Sequence, residues 1–375
     1  MPDTAATASP ALDYVRAIAP YQGGKPIEEV AREFGLDPAA IVKLASNENP
    51  LGMPESAKAA IRAALDGELA RYPDGNAFDL KAALAARFGV PAEWITLGNG
   101  SNDILELAAA AHLAPGRSCV YSQYSFAVYP LATQAHGARH IVVPALNYGH
   151  DLDAMRAAIA PDTRLMYVAN PNNPTGSFLT HTRIEAFLAQ VPSQVVVVLD
   201  EAYNEYLPPE LRFDSTIWVR RHPNLLISRT FSKAYGLAGL RIGYGIAQPA
   251  LSDLLNRVRQ PFNVNSIAQA AALAALDDEA FVAESYRVNR DGLAQLTAAF
   301  RRLGLEFLPS FGNFVLVRVG DAAAVNLVLM KRGVIVRPVA NYGLPEWLRI
   351  TVGLPRENEQ FIAALGEVLG SPPLR

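Results

Sequence analysis

The stretch SRTFSKAYGLAGLRIGY, residues 228–244, holds a single lysine, Lys233, between a short apolar run (224–228) and a glycine-rich turn, with Arg241 eight residues on. Lysines belong mostly to wet surfaces. This one follows a strand-like segment and sits among the hydroxyls of Thr230 and Ser232. In an open α/β sheet, the crevice beyond the carboxyl ends of the strands is where ligands bind.

Three other polar segments have the same placement. GNGSND (98–103) follows a strand-like run at 95–97, NPNNPTG (170–176) follows one at 165–169, and LDEAY (199–203) closes one at 194–199. The runs at 165–169 and 194–199 are short, apolar and valine-rich, as in strands buried on both faces of a parallel sheet. Helical patterns at 55–65, 103–112 and 126–135 and strand patterns at 118–121 and 139–143 alternate with them, which implies right-handed crossovers.

Past residue 262 the pattern changes. Helices are expected at 266–276 and 279–303, short strands at 314–317, 334–336 and 348–352, and a last helix at 357–369. The fold class is therefore α/β. A large, mostly parallel mixed sheet with helices on both faces (46–265) precedes a smaller α+β domain (266–375). Residues 1–45 read as an irregular arm packing with the small domain, because Pro20, Gly23, Gly24 and Pro26 break any long helix.

Composition excludes several classes. Half of the 375 residues are hydrophobic and 18% are charged, enough for a sizeable core, and the net charge of −3 comes without a basic stripe for nucleic acid. The lone Cys119 allows no intrachain disulfide. No signal-peptide pattern opens the chain, and no apolar run reaches the roughly 18 residues of a membrane span. A cytoplasmic protein with neither nucleic-acid nor membrane partner is expected, and no metal site.

Taken singly, each polar segment has a bland reading: a solvated lysine, a helix cap, a tight turn. Their joint order after strands suits pyridoxal phosphate. Gly100, Ser101 and Asn102 open a helix whose N–H groups can meet an anion. Thr230 and Ser232 add hydroxyls, and Arg241 a guanidinium fork. Asp200 can pair with a protonated pyridine nitrogen. Tyr203 and Asn173 can donate to a phenolate oxygen. Lys233 can form the Schiff base and, once displaced, move a proton. Nearby cations should lower its pKa.

This order of phosphate loop, NPTG, D-x-A-Y, [ST]-x-x-K and R-x-G resembles that of the fold type I aminotransferases over almost the whole chain. PYQGGKP (20–26), KLASNENPLG (43–52), RYPDG (71–75) and VIVRPVANYGLPEWLRITVGL (334–354) narrow the resemblance to the histidinol-phosphate aminotransferases. It implies reversible transamination between histidinol phosphate and 2-oxoglutarate, giving imidazole-acetol phosphate and L-glutamate, in histidine biosynthesis. It further implies that Phe126 stacks on the pyridine ring and that Tyr72 reaches the cofactor phosphate of the neighbouring subunit of a homodimer. Tyr21 and Asn47 would contact substrate, Arg349 would hold its carboxylate or phosphate, and Arg337 would be a second phosphate contact. The segment after Arg337 is a variant, and aromatic amino acid aminotransferases and threonine-phosphate decarboxylases share the same cofactor residues. Regulators that keep this cofactor carry a DNA-binding domain, for which the first 45 residues are too short.

Overall fold

A computed structural model describes residues 10–20, 23–67 and 69–370. Among these residues the strands are β1 (Val42–Lys43), β2 (Ile95–Gly98), β3 (Ser118–Ser122), β4 (Arg139–Val143), β5 (Thr163–Ala169), β6 (Val196–Asp200), β7 (Leu225–Thr230), β8 (Gly243–Ile246), β9 (Phe314–Arg318), β10 (Val334–Ile335), β11 (Arg337–Val339) and β12 (Leu344–Thr351). The largest sheet has seven strands in the order β2-β8-β7-β6-β5-β3-β4. It is parallel from β7 to β4, and β8 runs antiparallel between β7 and β2. The carboxyl ends of β2, β3, β5, β6 and β7 therefore share one edge. The strand order reverses between β3 and β5, and an open α/β sheet binds its ligand at such a switch point.

Both faces of this sheet are covered, which explains the continuous apolar runs. On β6, Val197 and Leu199 enter one core with Trp218 and the helices Glu55–Leu65 and Phe78–Phe88. Val196 and Val198 enter the opposite core with Tyr129, Tyr167 and the helix Ser101–His112. The helix Ser266–Leu276 joins the first core through Ala268, Ala271, Ala272 and Ala275, small side chains that let it lie close against Glu55–Leu65.

A three-stranded antiparallel sheet, β11-β12-β9, packs on the helices Glu279–Arg302 and Pro355–Val368 around Phe300, Phe361 and Val315. The strand expected at 334–336 is β10, and a separate strand, β11, opens at Arg337. β10 pairs in parallel with β1, and β11 pairs with β12.

Two local expectations are corrected. No strand is expected at 243–246, yet this stretch is strand β8. Its glycines reflect crowding, since a Cβ on Gly243 would lie 2.5 Å from the backbone nitrogen of Ser101. The arm is also not wholly irregular. Pro26 and Gly35 bracket a helix, Ile27–Phe34. Its Val30 and Ala31 are buried against Met330 and Ile335. No helix among the described residues is long and apolar enough to cross a membrane.

Candidate active site

Beyond β2 the chain turns through Gly98-Asn99-Gly100 into the helix Ser101–His112. Gly100 has φ +80°, and a Cβ there would lie 2.5 Å from a terminal nitrogen of Arg241. Only glycine combines that conformation with that approach. Arg241 is itself left-handed (φ +56°). Its Nη1 donates to Ser232 Oγ (3.3 Å) and to the Ala238 carbonyl (3.0 Å), and its Nη2 donates to the Asn99 carbonyl (3.3 Å). Thr230 Oγ1 accepts the backbone N–H of Ser232 at 3.0 Å. A helix N-terminus, two hydroxyls and a pinned guanidinium thus form one anion cradle.

Asp200 closes β6 and is buried. Tyr129 Oη donates to its Oδ2 at 2.9 Å, and the Ala202 N–H donates to its Oδ1 at 3.2 Å. Burial nevertheless dominates and pushes its pKa up to about 6. Such a carboxylate gains from a cationic partner. The sequence reading did not single out Tyr129. It stacks on Tyr167 at 4.4 Å with its hydroxyl aimed at Asp200. A buried tyrosine seeks a hydrogen-bond partner, and that is the one signal its sequence context offers.

Lys233 lies three residues beyond β7. Its Nζ donates to the Ser46 carbonyl (3.3 Å) and stands 5.8 Å from the centre of the Tyr203 ring. Its pKa falls to about 8, through burial first and then through Arg349 and Arg241, while Glu48 and Asp200 oppose the shift. The amine is therefore less basic chiefly because it is desolvated. Tyr203 Oη accepts from Asn47 Nδ2 at 2.9 Å, and burial raises the phenol to about 12, so it stays protonated.

Across the cleft, Arg337 and Arg349 are direct register partners on β11 and β12, and both are buried. Arg349 Nη1 donates to Asn173 Oδ1 (2.6 Å) and Nη2 to the Ala45 carbonyl (2.8 Å), while its buried Nε has no partner among the described residues. Asn173 therefore turns its side-chain oxygen to the arginine.

One cavity of about 310 Å³ collects these groups. Ser101, Asn102, Thr230, Ser232 and Arg241 line its anion end. Phe126, Asp200, Tyr203, Lys233 and Asn173 line its middle, and Asn47, Arg337 and Arg349 its far wall. Gly100 lies just behind the cradle. Gly23 and Gly24 of the arm also reach the cavity, whereas Tyr21 lies outside the described residues. Tyr72 is not brought to this cavity; it is 82% exposed and stacks on Phe262 at 4.7 Å. Among the described residues no cluster of His, Cys, Asp and Glu is placed to hold a metal ion.

Residues 39–365 match the family "Aminotransferase class I and II". The chain is 70% identical over 361 residues to histidinol-phosphate aminotransferase 2 of Ralstonia nicotianae, covering 95% of this chain and 96% of that one. It is also 70% identical to histidinol-phosphate aminotransferase 1 of Cupriavidus pinatubonensis, with the same coverage. Among solved structures it resembles histidinol-phosphate aminotransferase from Sinorhizobium meliloti in complex with pyridoxal-5'-phosphate. That match has 30% identity and a TM-score of 0.87, and covers 97% of this chain and 99% of that one.

Proposed function

The chain belongs to the class I and II aminotransferases, and we propose that within this family it is a pyridoxal-phosphate-dependent histidinol-phosphate aminotransferase. It would exchange the amino group between histidinol phosphate and 2-oxoglutarate, with imidazole-acetol phosphate and L-glutamate on the other side. The observation that carries the substrate choice is the Arg337–Arg349 register pair on the wall facing Lys233. Two buried guanidinium groups suit a phosphate dianion, whereas one suffices for a carboxylate.

The residues fit the cofactor. The glycine-lined cradle of Ser101, Asn102, Thr230, Ser232 and Arg241 would hold its phosphate. Asp200, steadied by Tyr129 and Ala202, would hold a proton on the ring nitrogen. Tyr203 and Asn173 would face the phenolate oxygen, Phe126 would cover the ring, and Lys233 would hold the group covalently through Nζ. Tyr72 would come from the second copy in a homodimer, consistent with its exposure here. Bound there, pyridoxal phosphate supplies the electron sink that transamination needs.

Each protein group then has a task. With the amine bound, Lys233 Nζ would take the proton from the amine-bearing carbon and release it on the far side of the transfer; a pKa near 8 suits both accepting and giving up a proton. Arg349 orients the α-carboxylate of glutamate, and Arg349 with Arg337 orients the phosphate of histidinol phosphate. Asn47 and Tyr21 would contact the substrate. The same reading divides the chain into an arm (1–45), a large cofactor-binding domain (46–265) and a small domain (266–375), working in the cytoplasm.

The test is a single half-reaction on the cofactor-loaded protein. Histidinol phosphate should bleach the visible cofactor band quickly and phenylalanine slowly. The reverse order would make the enzyme an aromatic amino acid aminotransferase whose arginines hold a carboxylate.

A further inference from the structure

We propose that Thr351 is a positioning residue whose hydroxyl fixes the amide of Asn47 so that Tyr203 turns its phenolic proton into the cleft. The inference rests on the reading of Tyr203 as donor to the phenolate oxygen of pyridoxal phosphate.

Thr351 closes β12, two residues past Arg349 and so on the same face of the strand. Its Oγ1 accepts the backbone N–H of Asn47 at 2.9 Å. The single hydroxyl proton is donated to Asn47 Oδ1 at 3.1 Å. With its oxygen committed to Thr351, the amide presents its NH₂ to the other side, and Nδ2 donates to Tyr203 Oη at 2.9 Å. A phenol oxygen that accepts from an amide still has one proton to give, and a donor cannot take it. Phe314, edge-on to the Tyr203 ring at 5.2 Å, offers no strong acceptor. The cavity lies on the remaining side.

The arrangement is held on all sides. Asn47 is 1% exposed and Thr351 3%, which leaves little room for water to substitute. Asn47 sits at φ +54°, a conformation asparagine tolerates better than most residues. Its carbonyl accepts from Asn313 Nδ2 at 3.0 Å. From the Asn47 N–H through Thr351 Oγ1 and the Asn47 amide to Tyr203 Oη, the three hydrogen bonds run donor to acceptor in one direction, each polarising the next.

The test uses the cofactor-loaded, full-length protein and reads the pH at which its visible band titrates, with the cofactor dissociation constant alongside. Thr351→Val keeps the shape but frees the Asn47 amide to turn its oxygen toward the Tyr203 proton and draw that proton out of the cleft. The cofactor oxygen then loses its donor. The titration midpoint should rise by about half to one pH unit, and cofactor affinity should fall about three- to tenfold. Thr351→Ser should titrate with wild type. Thr351→Ala should repeat the shift if the valine variant folds poorly. In a Tyr203→Phe background, Thr351→Val should add nothing further. The inference is overturned if Thr351→Val and Thr351→Ala titrate with wild type, or if their shift persists undiminished without the Tyr203 hydroxyl. A wild-type protein that shows no visible cofactor band would overturn the cofactor reading itself, which separates the two failures.

Discussion

Replacing Asp200 with asparagine should stabilise the cofactor-free protein at neutral pH while abolishing transamination. Burial raises the Asp200 pKa from the ordinary 3.8 to about 6. A carboxyl whose folded pKa lies above its unfolded value holds its proton more tightly in the folded state, so charging it opposes folding. The penalty is absent below about pH 3.8, grows through the interval, and is complete above about pH 6. Roughly two units at 1.36 kcal/mol each amount to about 3 kcal/mol. Asparagine removes the charge but turns its NH₂ toward one of the two donors, Tyr129 Oη or the Ala202 N–H, which costs about 1 kcal/mol. That cost does not vary with pH. The stability of Asp200→Asn minus that of wild type should therefore rise by about 2 kcal/mol between about pH 4.5 and 7.5. Urea unfolding of both proteins, freed of cofactor and followed by tryptophan fluorescence, measures it. A difference that stays flat over this interval would refute the claim that Asp200 is a buried charge awaiting a cationic partner. Adding pyridoxal phosphate should reverse the order of stability at neutral pH, because only the carboxylate gains from the ring's proton.

Other changes have definite outcomes. Gly100→Ala forces a side chain into φ +80° and against Arg241, so cofactor affinity should fall at least about tenfold by equilibrium dialysis. Tyr129→Phe removes the hydroxyl donor to Asp200 Oδ2 and should weaken cofactor binding about tenfold without changing the substrate preference. Arg349→Ala should raise the KM for glutamate and histidinol phosphate alike, whereas Arg337→Ala should hurt the phosphate substrate more. Equal losses in both variants would remove that division of labour.

Much of this arrangement was legible in the sequence because the decisive residues are tied to strand ends. Lys233, Asp200, Asn173 and Ser101 each lie within a few residues of an apolar run, and a parallel sheet brings such ends to one edge. The register of Arg337 opposite Arg349 was not legible, because the strand read at 334–336 stops short of Arg337, which opens a separate strand in a different sheet. Strand β8 was hidden by its glycines, whose reason is a neighbouring helix more than a hundred residues earlier. Tyr129, Thr351 and the Ser46 carbonyl act through partners 71, 304 and 187 positions away, and no local pattern encodes such contacts. The exposure of Tyr72 belongs to the same class: a side chain whose suggested partner is another copy has no signature in its own neighbourhood.

The central claim is that Lys233 carries the cofactor in this cleft. Borohydride reduction of the yellow protein, followed by proteolysis and mass spectrometry, tests it directly. The account predicts one pyridoxyl group per chain, on the peptide containing Lys233, and none after Lys233→Ala. A pyridoxyl group on another lysine, or full labelling of the alanine variant, would contradict it.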